Sequence, residues 1–227
     1  MADQQNRPVP QQDFEDLKGR MAMIAEADPS QHHDDFSTQR FLRAFKTADA
    51  SFQAMLKCNK WRRDYGVECI SPTEECIQKE LIAQKALLLM HRDIIGRPVI
   101  YIAARKHDVN ERDIDEFTRF IVYTLERACK RCHDEIIDNL CIVFDLKDFK
   151  LSCMDYQFVK NLIWLLSKYY PERLGVCLII NAPTLFSGCW TIIKQMLSEA
   201  TAEKVKFVAD EQDLCKYLIP DILPEDT

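Results

Sequence analysis

Leu140-Cys141-Ile142-Val143-Phe144 and Val176-Cys177-Leu178-Ile179-Ile180 are two short, almost wholly apolar runs. Neither alternates polar with apolar, so each is expected to be a strand covered on both faces. Helical spacing occupies residues 155–169 between them. Upstream, Arg97-Pro98-Val99-Ile100-Tyr101-Ile102-Ala103 follows Gly96 as a third β-rich run. Residues 111–133 then carry Ile114, Phe117, Ile121 and Leu125 on one helical stripe. Downstream, residues 183–197 form an apolar helix, and Lys204-Val205-Lys206-Phe207-Val208 is a last short strand. Strand alternating with helix implies βαβ units, and hence an α/β fold with a mainly parallel sheet flanked by helices and joined by right-handed crossovers.

Ahead of this region the pattern is different. Phe14, Leu17, Met21 and Ile24 recur at helical spacing, and Phe41, Leu42, Phe45, Phe52, Met55, Leu56 and Trp61 continue it through two further helices. Residues 13–80 are therefore expected to be a small helical module and residues 81–227 the α/β part. Residues 1–12, rich in Gln, Asn and Pro, offer almost nothing to bury and are expected to be a leader. No internal repeat is evident.

The bulk properties exclude several functions. The chain has 227 residues, 47% of them hydrophobic, enough for one full core. It has no run near the roughly 18 apolar residues that span a bilayer, and its first segment is polar rather than a basic-then-apolar export signal. A net charge of −6 argues against nucleic acid, which demands a concentrated basic face. Several of the ten cysteines sit inside apolar runs, where a thiol behaves as a small core hydrophobe. A reducing, cytoplasmic setting fits them.

With only five glycines, neither a phosphate-cradling loop nor a dinucleotide fingerprint can be assembled. No Gly-x-Ser-x-Gly elbow exposes a nucleophile. Cys129-Lys130-Arg131-Cys132-His133 spells the haem-attachment pattern, but it closes a helix, where its basic residues meet the negative end of the dipole. Zinc at the same two thiols lacks a second ligand pair at similar spacing, and His32-His33 is remote. No cofactor, no metal and no catalytic activity are expected.

The helix over residues 183–197 is unusual because Leu185, Phe186, Cys189, Trp190, Ile192, Ile193, Met196 and Leu197 cover most of its circumference. Such a helix is either buried on every side or faces something other than water. Both readings stand on spacing alone.

Three blocks resemble the CRAL-TRIO lipid-binding family, the lineage of the phosphatidylinositol/phosphatidylcholine transfer proteins. The first is Arg40-Phe41-Leu42-Arg43-Ala44 with Trp61-Arg62-Arg63-Asp64-Tyr65. The second is Gly96-Arg97-Pro98-Val99. The third is Phe144-Asp145-Leu146-Lys147, then Tyr169-Tyr170-Pro171-Glu172-Arg173-Leu174-Gly175, then Ile180-Asn181-Ala182-Pro183. The resemblance runs over residues 36–224. It implies one lipid in an apolar pocket between the sheet and a mobile gate helix, with residues 183–197 as the gate.

In the phosphatidylinositol branch a small polar set reads the headgroup, matched here by Lys46, Glu172, Thr201 and Lys204, with Arg173 as a further charge. The arginine usual before the lysine of the first block is Phe45. Such a set is chemically coherent, since a lysine offers a mobile charge to phosphate while a carboxylate and a hydroxyl serve sugar hydroxyls. Without the resemblance, Glu172 and Arg173 also read as an exposed ion pair in a surface turn. The phosphatidylcholine branch has two hydroxyl side chains where this chain has Leu140 and Ile142, which implies weaker binding of choline lipids and an aliphatic wall suited to an apolar ligand. The tail, residues 220–227, lacks the paired glycines that often follow the last family helix.

The resemblance thus implies a monomeric, cytoplasmic carrier or presenter of a phospholipid or other hydrophobic ligand, making transient contact with membranes. Leu140, Ile142, Leu185, Phe186, Trp190 and Ile193 are its expected pocket wall and gate. Leu185, Phe186 and Trp190 are the expected bilayer contacts. The competing expectation is a protein-interaction module for a small GTPase or other signalling partner.

Overall fold

A computed structural model of the chain describes residues 8–224; most of the expected leader, residues 1–7, and residues 225–227 lie outside the described residues. The chain divides into two compact units. One comprises residues up to Cys69 together with Leu165–Glu172; the other comprises Ile70–Trp164 and the stretch from Arg173 onward.

The first unit is built on three helices, α1 (Gln11–Ala27), α2 (Asp35–Phe45) and α3 (Ala48–Tyr65). Helix α1 opens at Gln11, inside the stretch read as leader. The Asp34 carboxylate caps α2 by accepting from Ser37 N, and the Thr47 hydroxyl caps α3 by accepting from Ala50 N. Gly66 ends α3 at φ 68°, a left-handed geometry in which glycine carries no Cβ penalty. The apolar stripe read from the sequence closes into one core of Phe14, Leu17, Met21, Phe41, Leu42, Met55 and Cys58. Trp61 and Tyr169 stack with ring centroids 4.1 Å apart and planes inclined by 7°.

The second unit carries a five-stranded sheet in the order β1 (Ala86–Arg92), β2 (Pro98–Ala103), β3 (Leu140–Asp145), β4 (Leu174–Ile180) and β5 (Val205–Phe207). Strands β2 to β5 are mutually parallel, as the alternation of strand and helix requires. Strand β1 was not legible beforehand and pairs antiparallel with β2. Its run Leu87-Leu88-Leu89 has neither a two-residue nor a 3.6-residue period. The β1–β2 connection is set by Asp93, whose side chain accepts from Ile95 N and Arg97 N, and by Gly96 at φ 100°.

Four longer helices accompany the sheet: α4 (Glu75–Ala83), α5 (Ile114–Cys129), α6 (Tyr156–Tyr169) and α7 (Phe186–Met196). Helix α5 is shorter at both ends than its apolar stripe implied. Asp113 caps it by accepting from Asp115 N and Glu116 N, and a turn follows Cys129. Gly175 near the start of β4 is required by close approach. A Cβ there would lie 2.8 Å from Arg97 Nη1 and would overlap the Asn139 side-chain amide.

The sheet buries both faces. Val99, Tyr101, Ala103, Cys141, Val143, Val176, Leu178 and Ile180 point one way and pack against Leu214 and Leu218. Phe144, Cys177 and Ile179 point the other way. Double burial is why β3 and β4 read as continuous apolar runs rather than alternating ones.

Candidate functional site

Helix α7 lies on the second of these faces. Phe186 and Cys189 are buried against Leu146, Phe149, Cys177 and Ile179, with Phe144, Trp190 and Ile193 packed beside them. Phe186 meets Phe149 edge to face at 5.4 Å, and Trp190 meets Phe207 at 5.3 Å. Leu185, the residue before the helix, is 53% exposed and Ile192, at the margin of the buried stripe, 45%. The helix therefore buries one apolar stripe and exposes Ser187, Thr191, Lys194 and Gln195 on the other side.

This corrects one expectation and refines another. Phe186, expected to reach a bilayer, is 5% exposed and belongs to the domain core. Trp190 and Ile193 are half-buried at the edge of the same cluster. Leu185 does present its side chain outward, and Ile192, not singled out as an exposed position beforehand, joins it. The expected apolar cover of most of this helix is also corrected: Phe186, Cys189, Trp190 and Ile193 share the inward stripe, and Ser187, Thr191, Lys194 and Gln195 recur at helical spacing on the outward one.

Ile142 shares the face under α7, being two residues from Phe144 and the register partner of Cys177. Leu140 is 1% exposed and stands where an irregularity in the β3–β4 register interrupts that alternation. Both are aliphatic and buried.

The polar candidates fall in different places. Thr201 lies in the short helix α8 (Glu199–Ala202), capped by Ser198, whose hydroxyl accepts from Thr201 N and lies 2.8 Å from Thr201 Oγ1. Lys204 N donates to the Thr201 carbonyl at 3.1 Å, so these two candidates share one turn. The Lys204 carbonyl accepts from Cys177 N at 2.9 Å, which fixes that turn to β4.

Arg173 directly precedes β4. Its guanidinium donates to Asp134 at 3.0 Å and to the Asp138 carbonyl at 2.5 Å. Burial opposes its charge, but the neighbouring Cys129, Asp134 and Cys132 groups outweigh that and hold it above the ordinary guanidinium value. The remaining two candidates belong to the first unit. Glu172 takes φ 57°, a left-handed geometry that a non-glycine residue adopts at a cost. Lys46 is the left-handed C-cap of α2, exposed, with its ammonium donating to the Arg43 carbonyl.

A buried carboxylate at the end of β3 completes the local architecture. Asp145 is fully buried and accepts from Tyr101 Oη at 2.6 Å, Arg105 Nη1 at 2.6 Å, Asn181 Nδ2 at 2.8 Å and Lys147 N at 2.9 Å. Burial pushes its pKa up, but the bonds from Tyr101, Asn181, Lys147 and Arg105 overcome this and hold the carboxyl below its usual range. It thereby ties together the ends of β2, β3 and β4. The motif Phe144-Asp145-Leu146-Lys147 marked the position, but nothing local announced partners so distant in sequence.

A second such knot holds the start of α6. Asp155 accepts from Arg112 Nε at 2.6 Å and from Phe158 N at 2.9 Å, and lies 3.3 Å from His107 Nε2. Among the described residues, no helix is long and apolar enough to cross a membrane.

A mixed sheet, parallel in four of its five strands, with an apolar helix seated on one face defines the class of this protein. The chain belongs to the CRAL/TRIO domain family, which matches residues 83–227. It is 35% identical over 189 residues to a CRAL-TRIO domain-containing protein of Schizosaccharomyces pombe, spanning 80% of this chain and 42% of that one. It is 33% identical over 129 residues to the phosphatidylinositol transfer protein CSR1 of Eremothecium gossypii, spanning 57% of this chain and 29% of that one. This chain thus matches less than half the length of either relative. The crystal structure of Sfh5 shares the fold with a TM-score of 0.75 at 20% identity, covering 92% of this chain and 83% of that one.

Proposed function

We propose that this protein binds a single lipid, a phosphatidylinositol-like phospholipid or another hydrophobic ligand, and transfers or presents it at membranes without catalysing a reaction. The observation that carries this reading is α7, which seats Phe186 and Cys189 on an apolar sheet face while Leu185 and Ile192 remain exposed. A lid needs both kinds of apolar residue, ones that close an apolar space and ones at its margin that can meet the bilayer. Family membership and the likeness to a phosphatidylinositol transfer protein support it.

In this reading residues 13–80 serve as the helical module and residues 81–227 as the lipid-binding part. The protein acts as a cytoplasmic monomer that visits membrane surfaces. Lys204 and Thr201 contact the phosphate and sugar from one turn, and the family resemblance also proposes Glu172 and Lys46 as headgroup residues. Arg173, engaged with Asp134 and Asp138, contributes field more than a free donor.

Lys204→Ala is expected to lower phosphatidylinositol transfer between vesicles about ten- to a hundredfold, the effect of losing a charge-assisted contact worth roughly 1.5–3 kcal/mol, while Tm stays unchanged. Unchanged loading would remove Lys204 from the site. The aliphatic Leu140 and Ile142 lead to a second expectation, that phosphatidylcholine competes poorly with phosphatidylinositol for loading. Equal competition between fluorescent lipids would refute it. Native mass spectrometry of the purified chain tests the proposal as a whole. A lipid retained at one per chain supports it, and its absence after exposure to mixed vesicles rejects it.

A further inference from the structure

Cys129-Lys130-Arg131-Cys132-His133 closes α5 and takes no part in the lipid reading. Among the described residues no three His, Cys, Asp or Glu side chains converge as metal ligands. Their arrangement suits bond formation. Cys132 N donates to the Cys129 carbonyl at 3.0 Å, closing a four-residue turn. Such a turn holds its end Cα atoms within about 7 Å, and a disulfide spans about 4.4–6.8 Å.

The turn is also anchored. Arg131 donates to the Leu89 and Met90 carbonyls at 2.6 and 2.5 Å, and Arg92 donates to the Arg131 carbonyl at 2.6 Å. Both residues are partly exposed, as are Cys76 and Cys153, whereas Cys58, Cys141, Cys177 and Cys189 are buried.

Charge distinguishes the pair from the exposed Cys69 and Cys215. The Arg173 guanidinium, held by Asp134 and the Asp138 carbonyl, lies within electrostatic reach of both thiols, and the Cys132 thiol faces the Ala128 and Asn139 carbonyls at 3.9 and 3.8 Å, which disfavours its thiolate. The negative end of α5 opposes a thiolate with only about half a charge. Arg173 carries a full one, and a nearby cation is what makes a cysteine nucleophilic.

We propose that Cys129 and Cys132 are a peroxide-sensitive dithiol, Cys129 attacking and Cys132 resolving, that closes an intramolecular disulfide at the end of α5. The Cys129 thiolate attacks hydrogen peroxide, forming an S–O bond as the O–O bond breaks and leaving a sulfenic acid and hydroxide. Cys132 then displaces the sulfenic oxygen as water, forming the S–S bond. Two electrons pass from the sulfurs to peroxide, and two thiols with one peroxide give one disulfide and two waters.

The test is a hydrogen peroxide titration of the reduced full chain, followed by alkylation and peptide mass spectrometry. The Cys129–Cys132 disulfide is expected to form before Cys69 or Cys215 is modified. Earlier oxidation of either of those exposed thiols would overturn the proposal, and this readout depends on no variant folding. In Cys132→Ser a dimedone adduct should accumulate at Cys129, and in Cys129→Ser none should appear at Cys132; the reverse pattern would reject the assigned roles. Arg173→Gln should slow disulfide formation tenfold or more, and Arg173→Lys should restore most of the rate. An unchanged rate in Arg173→Gln would remove the guanidinium from the mechanism.

Discussion

Phe186→Asp is expected to destabilise the α/β part severely, lowering Tm by roughly 10–20 °C. Removing a buried phenyl ring alone costs about 3–5 kcal/mol, and each kcal/mol moves Tm by about 2–4 °C in a chain of this size. The aspartate adds a carboxylate among Leu146, Phe149, Cys177 and Ile179, where nothing apolar can pair with it. Leu185→Asp, one residue earlier and 53% exposed, is expected to leave Tm within about 2 °C while slowing vesicle-dependent lipid exchange tenfold or more. Thermal unfolding and transfer rate measured on both variants separate the two sides of α7. A stable Phe186→Asp would show that the ring does not belong to the core. An exchange rate unchanged in Leu185→Asp would count against α7 as a gate.

Asp145→Ala is expected to be the other large loss, about 3–5 kcal/mol, because it removes the fully buried carboxylate that accepts from the Tyr101 hydroxyl, the Arg105 guanidinium and the Asn181 amide at the ends of three strands. Its pH dependence has a definite sign. The folded pKa lies below the unfolded value of about 3.9, so Asp145 contributes full stability above that value. The contribution disappears as pH falls through the lowered folded pKa. Asp155 is held low as well, by Arg112, Phe158 N and His107 against the pull of burial, and adds an acid-side loss of the same sign. Asp145→Asn removes only the first of these. Its unfolding free energy should therefore fall less steeply below about pH 4 than that of the unsubstituted chain, and parallel acid limbs in denaturant titrations would contradict the assignment.

Wherever the decisive forces are local, the sequence was legible. Strands β3 and β4 were readable because burial on both faces removes every polar residue from a short run, and the helices of the first unit because one stripe carries their apolar residues. The alternation of these elements then limits the sheet to parallel pairing. Strand β1 escaped because Leu87-Leu88-Leu89 has no period of its own and becomes a strand through antiparallel pairing with β2.

The candidate site was legible in part, for the same reason. Thr201 and Lys204 sit three residues apart, and chain geometry alone places them on one turn. Residue types and spacing by themselves also determined that α7 would carry a broad apolar stripe, that Asp145 would stand at the end of a buried strand, and that two thiols would close α5. The tertiary structure alone decided how deeply each apolar position at α7 sits, burying Phe186 and leaving Leu185 beside it exposed, because depth depends on which sheet residues stand opposite. It alone gave Asp145 its partners Tyr101, Arg105 and Asn181, and gave Arg173 its partners Asp134 and the Asp138 carbonyl, since charge and hydrogen bonding act through space between residues that the chain keeps far apart.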